Sequence, residues 1–221
     1  MKTTTRKEHP ILFRPELVRK ILGGKKTQTR RPLGLLPFGA PSVITPHELD
    51  DGRFGFFDDA DVTYVCKFGR PGDVLWVRET WQQVYPLGAR DRLASAETPV
   101  KGNSKYRLLY AATLDEEEPP RWRPSIHMPR WACRLFLEIT DVRVERVQDI
   151  SEADAVAEGM EPWVECYAAH PLKPQSKPRF IGAKHKATCR EAFEQAWDAT
   201  YPGSWERNDW VWVISFRRTE A

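Results

Sequence analysis

Residues 24–31 read GKKTQTRR, one glycine followed by four basic residues, two threonines and a glutamine. The stretch follows a predicted short helix, because Pro15 suits a first helical turn and apolar residues recur on one face. These apolar residues are Leu17, Val18, Ile21 and Leu22. Glycine at positions 23 and 24 is typical of a left-handed helix end, and Pro32 favours an extended residue before it. Residues 24–31 therefore lead from a helix into a strand.

Strands dominate the prediction for the rest of the chain. They are expected at residues 11–13, 61–68, 74–78 after a Pro-Gly-Asp turn, 106–112, 131–147 and 210–216. A short helix is predicted after Ser151 and a longer one after Thr188, each with an acidic residue three positions later, as in a capping box. Residues 33–60 form a long excursion with one hairpin. This order of elements predicts an α+β fold organised around an antiparallel or mixed β-barrel.

The composition indicates a soluble globular protein, with 221 residues, 41% hydrophobic and 29% charged. No apolar run approaches the roughly 18 residues that span a bilayer, and the polar start MKTTTRKEHP lacks the apolar segment of a signal peptide. We therefore expect a cytoplasmic protein without membrane association. The GxGxxG, P-loop and GxSxG patterns are absent, which argues against the commonest dinucleotide, nucleotide and hydrolase sites.

The charges are unevenly distributed although the net charge is only +3. Between Arg14 and Arg31 there are seven basic residues and one acid, whereas acids collect at 50–61 and 115–118. In residues 24–31, lysine supplies a point charge and arginine a planar fork, which suits an anion or a nucleotide. The alternative is a basic edge strand, in which lysines only discourage aggregation.

The four cysteines include no CxxC pair, and a disulfide framework is not expected in a cytoplasmic protein. One zinc arrangement is open to consideration, since two Cys/His pairs have a spacing of four. These pairs are Cys166 with His170 and His185 with Cys189. The Cys-His-His-Cys order matches no common finger spacing, so unrelated thiols and imidazoles are the favoured interpretation.

Three short motifs and the closing strand WVWVISF (210–216), in this order, resemble the ASCH domain, a relative of the PUA RNA-binding barrel. The first is GxKxxTxR at 24–31, the second PGDxLxV at 71–77, and the third a helix ending in Glu-Gly at 155–160. The segment SIHMPRWA at 125–132 is similar to one in the larger, phage-type members of the family.

The resemblance implies a PUA-like β-barrel with short flanking helices and long loop insertions. Residues 1–9 would form a flexible tail, and residues 10–221 a single domain with insertions near 33–60, 86–104 and 161–187. A nucleoside or RNA would be the ligand, a monomer is assumed, and neither a metal nor a cofactor is implied.

The resemblance extends to the family's bacterial N4-acetylcytidine amidohydrolases at three positions. The proposed catalytic lysine, threonine and glutamate of that activity correspond to Lys26, Thr29 and Glu158. Thr29 would attack the amide, Lys26 would take its proton, and Glu158 would orient Lys26 or protonate the leaving amine. The substrate would be bound by Gly24, Arg31, Glu79, Arg130 and Trp131, with Arg130 and Trp131 supplying charge and base stacking.

Two other functions are compatible with the same residues. One is a binding module for RNA or a modified nucleotide, without catalysis. The other is a ribonuclease in which Lys26, His127 and Glu158 flank a phosphate. Geometry imposes a condition on the amidohydrolase: residues three apart in a strand point to opposite faces. Lys26 and Thr29 therefore converge only if Lys26 still lies in the turn or a bulge intervenes.

Overall fold

The computed structural model describes residues 6–34, 44–49, 54–58, 62–87, 92–95, 99, 101–102, 106–114, 119, 121–169 and 179–220. These residues include three α-helices, α1 (Pro15–Leu22), α2 (Glu152–Ala157) and α3 (Cys189–Thr200). The strands are β1 (Glu8–Leu12), β2 (Gln28–Pro32), β3 (Ile44–Glu48), β4 (Phe54–Asp58), β5 (Thr63–Val65), β6 (Val74–Arg78), β7 (Trp81–Leu87), β8 (Arg92–Ser95), β9 (Arg107–Tyr110), β10 (Phe136–Arg146), β11 (Trp163–Ala169), β12 (Arg179–Ala187) and β13 (Trp210–Thr219).

A five-stranded sheet in the order β1-β6-β10-β13-β2 forms the centre of the fold. The β1–β6 pair is parallel and the other pairs are antiparallel. A register shift between Ile139 and Asp141 interrupts the long β10–β13 ladder. The strands at the two edges, β1 and β2, come from the first 32 residues of the chain. The sheet therefore joins the start of the chain to its last strand.

Both faces of this sheet are covered by buried apolar side chains. On one face α1 packs against the side chains of Leu75, Leu137, Trp212 and Ile214. On the other face α2 and α3 bury Val211 and Val213 together with Phe193 and Trp197. The alternation along β13 sends successive side chains to opposite faces, so this one strand contributes to both cores. The start of β2 lies beside it, between the two packed layers.

Three smaller sheets accompany the central one, in the orders β3-β4-β5, β8-β7-β9 and β11-β12. The hairpin expected within residues 33–60 is present as β3 and β4. Phe56 of β4 reaches the main core, where its ring lies 5.4 Å from that of Trp212. This part of the predicted insertion thus contributes to the central packing.

The α+β class predicted from the sequence is confirmed, but a closed barrel is not found among the described strands. There, β1 pairs only with β6 and β2 only with β13, so each leaves one edge of the sheet without a ladder. The two edges are linked by a side chain instead. Arg31 Nη2 in β2 donates to the Leu12 carbonyl at the end of β1 at 2.7 Å, and its guanidinium lies 5.1 Å from the Phe13 ring.

Local signals in the sequence correspond to observed helix ends. Pro15 is the first residue of α1, and Gly24 has a left-handed φ of 72° after its end. Thr188 and Glu191 form a reciprocal capping box at α3, and the Ser151 side chain accepts from the Asp154 amide at α2. These contacts satisfy amides that a helix start leaves without a backbone partner.

Several predicted boundaries differ from the structure. The strands expected at 61–68 and 106–112 are shorter, as β5 and β9. Glu8 and His9, expected in the tail, are the first residues of β1. The longest strand begins at Phe136 rather than at residue 131, because Arg130–Ala132 forms a 3-10 turn in which the Cys133 amide donates to the Arg130 carbonyl. No helix in the described part of the chain has the length and apolar character needed to cross a bilayer.

Candidate functional site

Lys26 lies in the connection between α1 and β2, two residues before the strand begins. The amides of Lys25 and Lys26 both donate to the Lys20 carbonyl, at 2.8 and 3.2 Å, so the chain is still turning at this point. The next amide, that of Thr27, donates to the Ala157 carbonyl at the end of α2 at 2.8 Å. The predicted site requires Lys26 to lie in the turn after the helix, and Lys26 occupies that position.

Lys26 and Glu158 form a buried ion pair at this junction. Lys26 Nζ donates to Glu158 Oε2 at 2.6 Å and to the Glu158 carbonyl at 2.9 Å. The two side chains are only 1% and 5% exposed. The structure thus brings together two of the three catalytic residues expected from the sequence. Lys26 comes from the α1–β2 connection and Glu158 from the end of α2.

Burial dominates the electrostatics of Lys26. Loss of hydration lowers the pKa of Lys26, because the charged ammonium is the form that burial disfavours. The positive charges of Arg31 and Lys20 act in the same direction, and the Glu158 carboxylate opposes them. A lowered pKa increases the fraction of neutral lysine, which is the form able to accept a proton.

Thr29 is buried in β2 but stands apart from this pair. It is opposite Ile214 in the β2–β13 ladder, so its side chain lies on the face of the sheet that carries α1. Gln28 and Arg30, its neighbours in the strand, point to the other face. Among the contacts of the described residues, none joins Thr29 to Lys26 or Glu158, and the predicted trio is assembled only as a pair.

Arg30, which is not one of the residues predicted for the site, joins Lys26 and Glu158 in a buried cluster of three charged side chains. Its side chain is fully buried, with Nη1 at 2.7 Å from Gln28 Oε1 and 3.5 Å from Glu158 Oε1. Nη2 lies 2.9 Å from Glu145 Oε2 and 3.4 Å from Asp154 Oδ2. Gln28 and Arg30 are two positions apart in a strand, which predicts that their side chains lie on the same face of the sheet. The carboxylates come from distant elements, which the local pattern does not show.

A pocket of about 290 Å³ opens beside the ion pair. It is lined by Ile21, Leu22, Gly24, Lys26, Thr27, Phe216, Arg217 and Arg218. Gly24, expected to bind substrate, is therefore placed at this pocket. Arg31 is not one of its lining residues and instead bridges the sheet edges through Leu12. The pocket combines apolar walls with two arginines, which suits a ligand with an apolar body and a polar or anionic part.

Glu79 lies in a different part of the fold. It is fully buried, and its two oxygens accept from Arg134 Nε and Nη2, both at 2.9 Å. The Arg134 guanidinium is stacked 3.9 Å from the centre of the Tyr110 ring, and burial raises the pKa of Tyr110 to about 12. These contacts make Glu79 part of a buried ion pair, and the substrate contact expected of it stays a prediction.

Arg130 and Trp131, expected to bind a base and a phosphate, are also occupied within the chain. Arg130 donates to both carboxylate oxygens of Glu8, at 2.6 and 2.8 Å, and this bond lowers the pKa of Glu8. The Trp131 ring meets the buried Trp81 edge-on at 5.9 Å. The described contacts connect neither residue to Lys26, so the structure separates them from the ion pair.

The zinc arrangement considered from the sequence lies largely outside the described residues. His170 and the side chains of Cys166 and His185 are not described, while Cys189 is buried at the start of α3 and its amide donates to Glu152. Among the residues that are described, no group of three or more potential ligands is close enough to hold a metal ion.

Comparison of the chain with models of protein families, with curated proteins and with solved structures gives no match. The functional interpretation therefore depends on the residues and their geometry.

Gly159 is required by the way α2 meets Lys26, and its replacement gives a first prediction. It has a left-handed φ of 84°, and an added Cβ would lie 3.2 Å from Lys26 Cβ and 3.0 Å from Lys20 Cδ. We expect Gly159→Ala to lower the free energy of unfolding by about 1–3 kcal/mol, measured by urea denaturation.

Gly24→Ala is the matched control for this measurement. Gly24 has a similar φ of 72° but no atom within 4 Å of an added Cβ. Its replacement therefore measures the cost of the left-handed backbone conformation without the cost of crowding. If the two variants lose equal stability, the close approach of Gly159 to Lys26 contributes nothing.

Proposed function

We propose that this protein is a metal-independent amidohydrolase that acts on N4-acylated cytidine-type nucleosides, on a PUA-like fold of the ASCH family. The observation that carries the proposal is the buried Lys26–Glu158 pair beside a pocket lined by Gly24 and Thr27. Amide hydrolysis needs a group that can take and return a proton near the scissile bond. A lysine whose pKa is lowered by burial is suited to that role.

In the proposed reaction, Thr29 Oγ1 attacks the acyl carbonyl and its proton passes to neutral Lys26 Nζ. The tetrahedral intermediate then breaks its C–N bond, and the proton returns to the leaving exocyclic amine, which frees cytidine. Water hydrolyses the resulting acyl-threonine ester, so one water is consumed and one carboxylic acid released. Glu158 holds Lys26 in place throughout. The three side chains are buried, and no described contact joins Thr29 to Lys26. The proposed reaction therefore requires the α1–β2 connection to move, which admits the ligand and brings Lys26 Nζ to Thr29 Oγ1.

The test is a spectrophotometric hydrolysis assay of the purified protein against N4-acylcytidines with acyl groups of several sizes, with and without a chelator. We expect turnover that resists chelation and a kcat/KM that rises with pH until Lys26 is neutral. Absence of turnover on every acyl group would contradict the proposal.

Thr29 is tested by two variants that differ in a single group. Thr29→Val keeps the shape of the buried side chain and removes the hydroxyl, and we expect turnover to fall by at least about a thousandfold. Thr29→Ser keeps the hydroxyl and should retain most of the turnover. Equal activity of the two variants would rule out Thr29 as the nucleophile.

A binding module for RNA or a modified nucleotide is the second candidate. It is favoured by the burial of Lys26, Thr29 and Glu158, which in this conformation leaves Arg217 and Arg218 as the exposed cations of the pocket. RNA affinity that falls steeply with salt, without turnover of any acylcytidine, would support it. The ribonuclease alternative is supported less, because no described contact brings His127 to Lys26 or Glu158.

A further inference from the structure

Arg30 is a fully buried cation that the proposed reaction does not use. Burying a guanidinium is unfavourable unless its donors are paired, and this one reaches three carboxylates. They come from Glu145 in β10, Asp154 in α2 and Glu158 at the end of α2. Arg30 Nε is buried with no hydrogen-bond partner in the described part of the chain, so the orientation of the guanidinium is set by its two terminal nitrogens.

We propose that Arg30 is the positioning residue of the Lys26–Glu158 pair, holding the Glu158 carboxylate through Oε1 so that Oε2 faces Lys26 Nζ. The inference rests on the proposed function, in which the position of Lys26 matters for proton transfer. It assigns Arg30 no contact with the substrate.

The geometry supports this role because the two cations contact different oxygens of the same carboxylate. Lys26 Nζ is 2.6 Å from Glu158 Oε2, and Arg30 Nη1 is 3.5 Å from Glu158 Oε1. Arg30 is itself held by two shorter hydrogen bonds, since Nη1 also donates to Gln28 Oε1 at 2.7 Å and Nη2 donates to Glu145 Oε2 at 2.9 Å. The planar fork of arginine makes these contacts in one rigid unit, which a lysine would not reproduce.

The charged groups around Lys26 make the role measurable. Among the described residues, the anion that acts on Lys26 is Glu158 at the end of α2, while Arg31 from β2 and Lys20 from α1 act on it as cations. Arg30 acts on Lys26 through Glu158, because the two cations share that carboxylate. Without Arg30 the carboxylate interacts with Lys26 alone, which favours the ammonium form. Removal of Arg30 should therefore move the titration of Lys26 to higher pH.

The experiment follows the 13Cε resonance of Lys26 by NMR during a pH titration of the full chain, with the resonance assigned by its loss in Lys26→Met. In Arg30→Gln we expect the midpoint to move to higher pH, and kcat/KM for an acylcytidine to fall on the order of a hundredfold. Arg143→Gln is the matched control. It removes a cation that contacts Glu145 and Asp154 but has no described contact with Glu158, so its effect on the midpoint should be smaller.

A second variant keeps the proposal testable if Arg30→Gln does not fold. Glu145→Gln leaves Arg30 in place and removes its nearest counter-charge, so the guanidinium interacts more strongly with Glu158. The Lys26 midpoint should then move to lower pH. An unchanged midpoint in either folded variant would overturn the positioning role. Because the titration needs no turnover, a wild-type protein without amidohydrolase activity would contradict the proposed function and still leave this result readable.

Discussion

Lys26→Met should lower the free energy of unfolding by about 3–5 kcal/mol, because it leaves the Glu158 carboxylate buried without its closest cation. The side chain of Glu158 is 5% exposed, and its remaining cationic neighbour, Arg30, is 3.5 Å away. Methionine fills nearly the same volume, so the loss measures the charge rather than a cavity. Guanidinium denaturation followed by tryptophan fluorescence gives the value.

Two further variants separate stability from chemistry at this pair. Lys25→Met removes the neighbouring lysine, whose pair with Glu161 is exposed on both sides, and should leave stability unchanged. The double variant Lys26→Met, Glu158→Leu should recover most of the lost stability, because no carboxylate is left without Lys26 and Arg30 keeps Glu145 and Asp154 as partners. It should have no turnover. A loss below about 1 kcal/mol for Lys26→Met alone would contradict a charged Glu158 that is shielded from water.

Arg134→Met should have a similarly large effect, about 3–5 kcal/mol, at the second buried carboxylate. Glu79 has a side chain only 1% exposed, and both of its oxygens accept from Arg134. The substitution also removes the stacking of Arg134 on Tyr110. Urea denaturation measures the change in the free energy of unfolding.

A second variant distinguishes a structural Glu79 from a substrate-binding one. Glu79→Gln keeps the shape of the side chain and should destabilise the fold while leaving KM for an acylcytidine unchanged. A raised KM with unchanged stability would restore the substrate role predicted from the sequence.

Local sequence signals predicted the elements whose cause is local. Pro15 and Gly24 bound α1, Thr188 caps α3 through Glu191, and the turn at 71–73 leads into β6. Each of these features depends on contacts a few residues apart. The approach of Lys26 to Glu158 was predicted by family resemblance alone, since no periodicity relates positions 132 residues apart.

The residues that the structure places away from Lys26, and the one that the sequence did not indicate, share one physical reason. Arg130 and Trp131 have the composition of a binding surface, but their partners, Glu8 and Trp81, belong to distant strands. Arg30 was passed over because three of its contacts are with carboxylates of β10 and α2. From sequence alone, a charged side chain is predicted to be exposed. Its distant partner becomes known only when the order of the strands is known.

The strand order also determines when the Lys26 region can fold. Strand β2 pairs with β13 alone among the described strands, with Gln28 and Ser215 separated by 187 positions. During synthesis β2 therefore remains without a ladder until β13 has emerged. Contacts of such long sequence separation are slow to form, and the basic stretch at 24–31 keeps the waiting segment charged. Emergence of β13, rather than early folding of the segment around β2, would then be the event that completes the site.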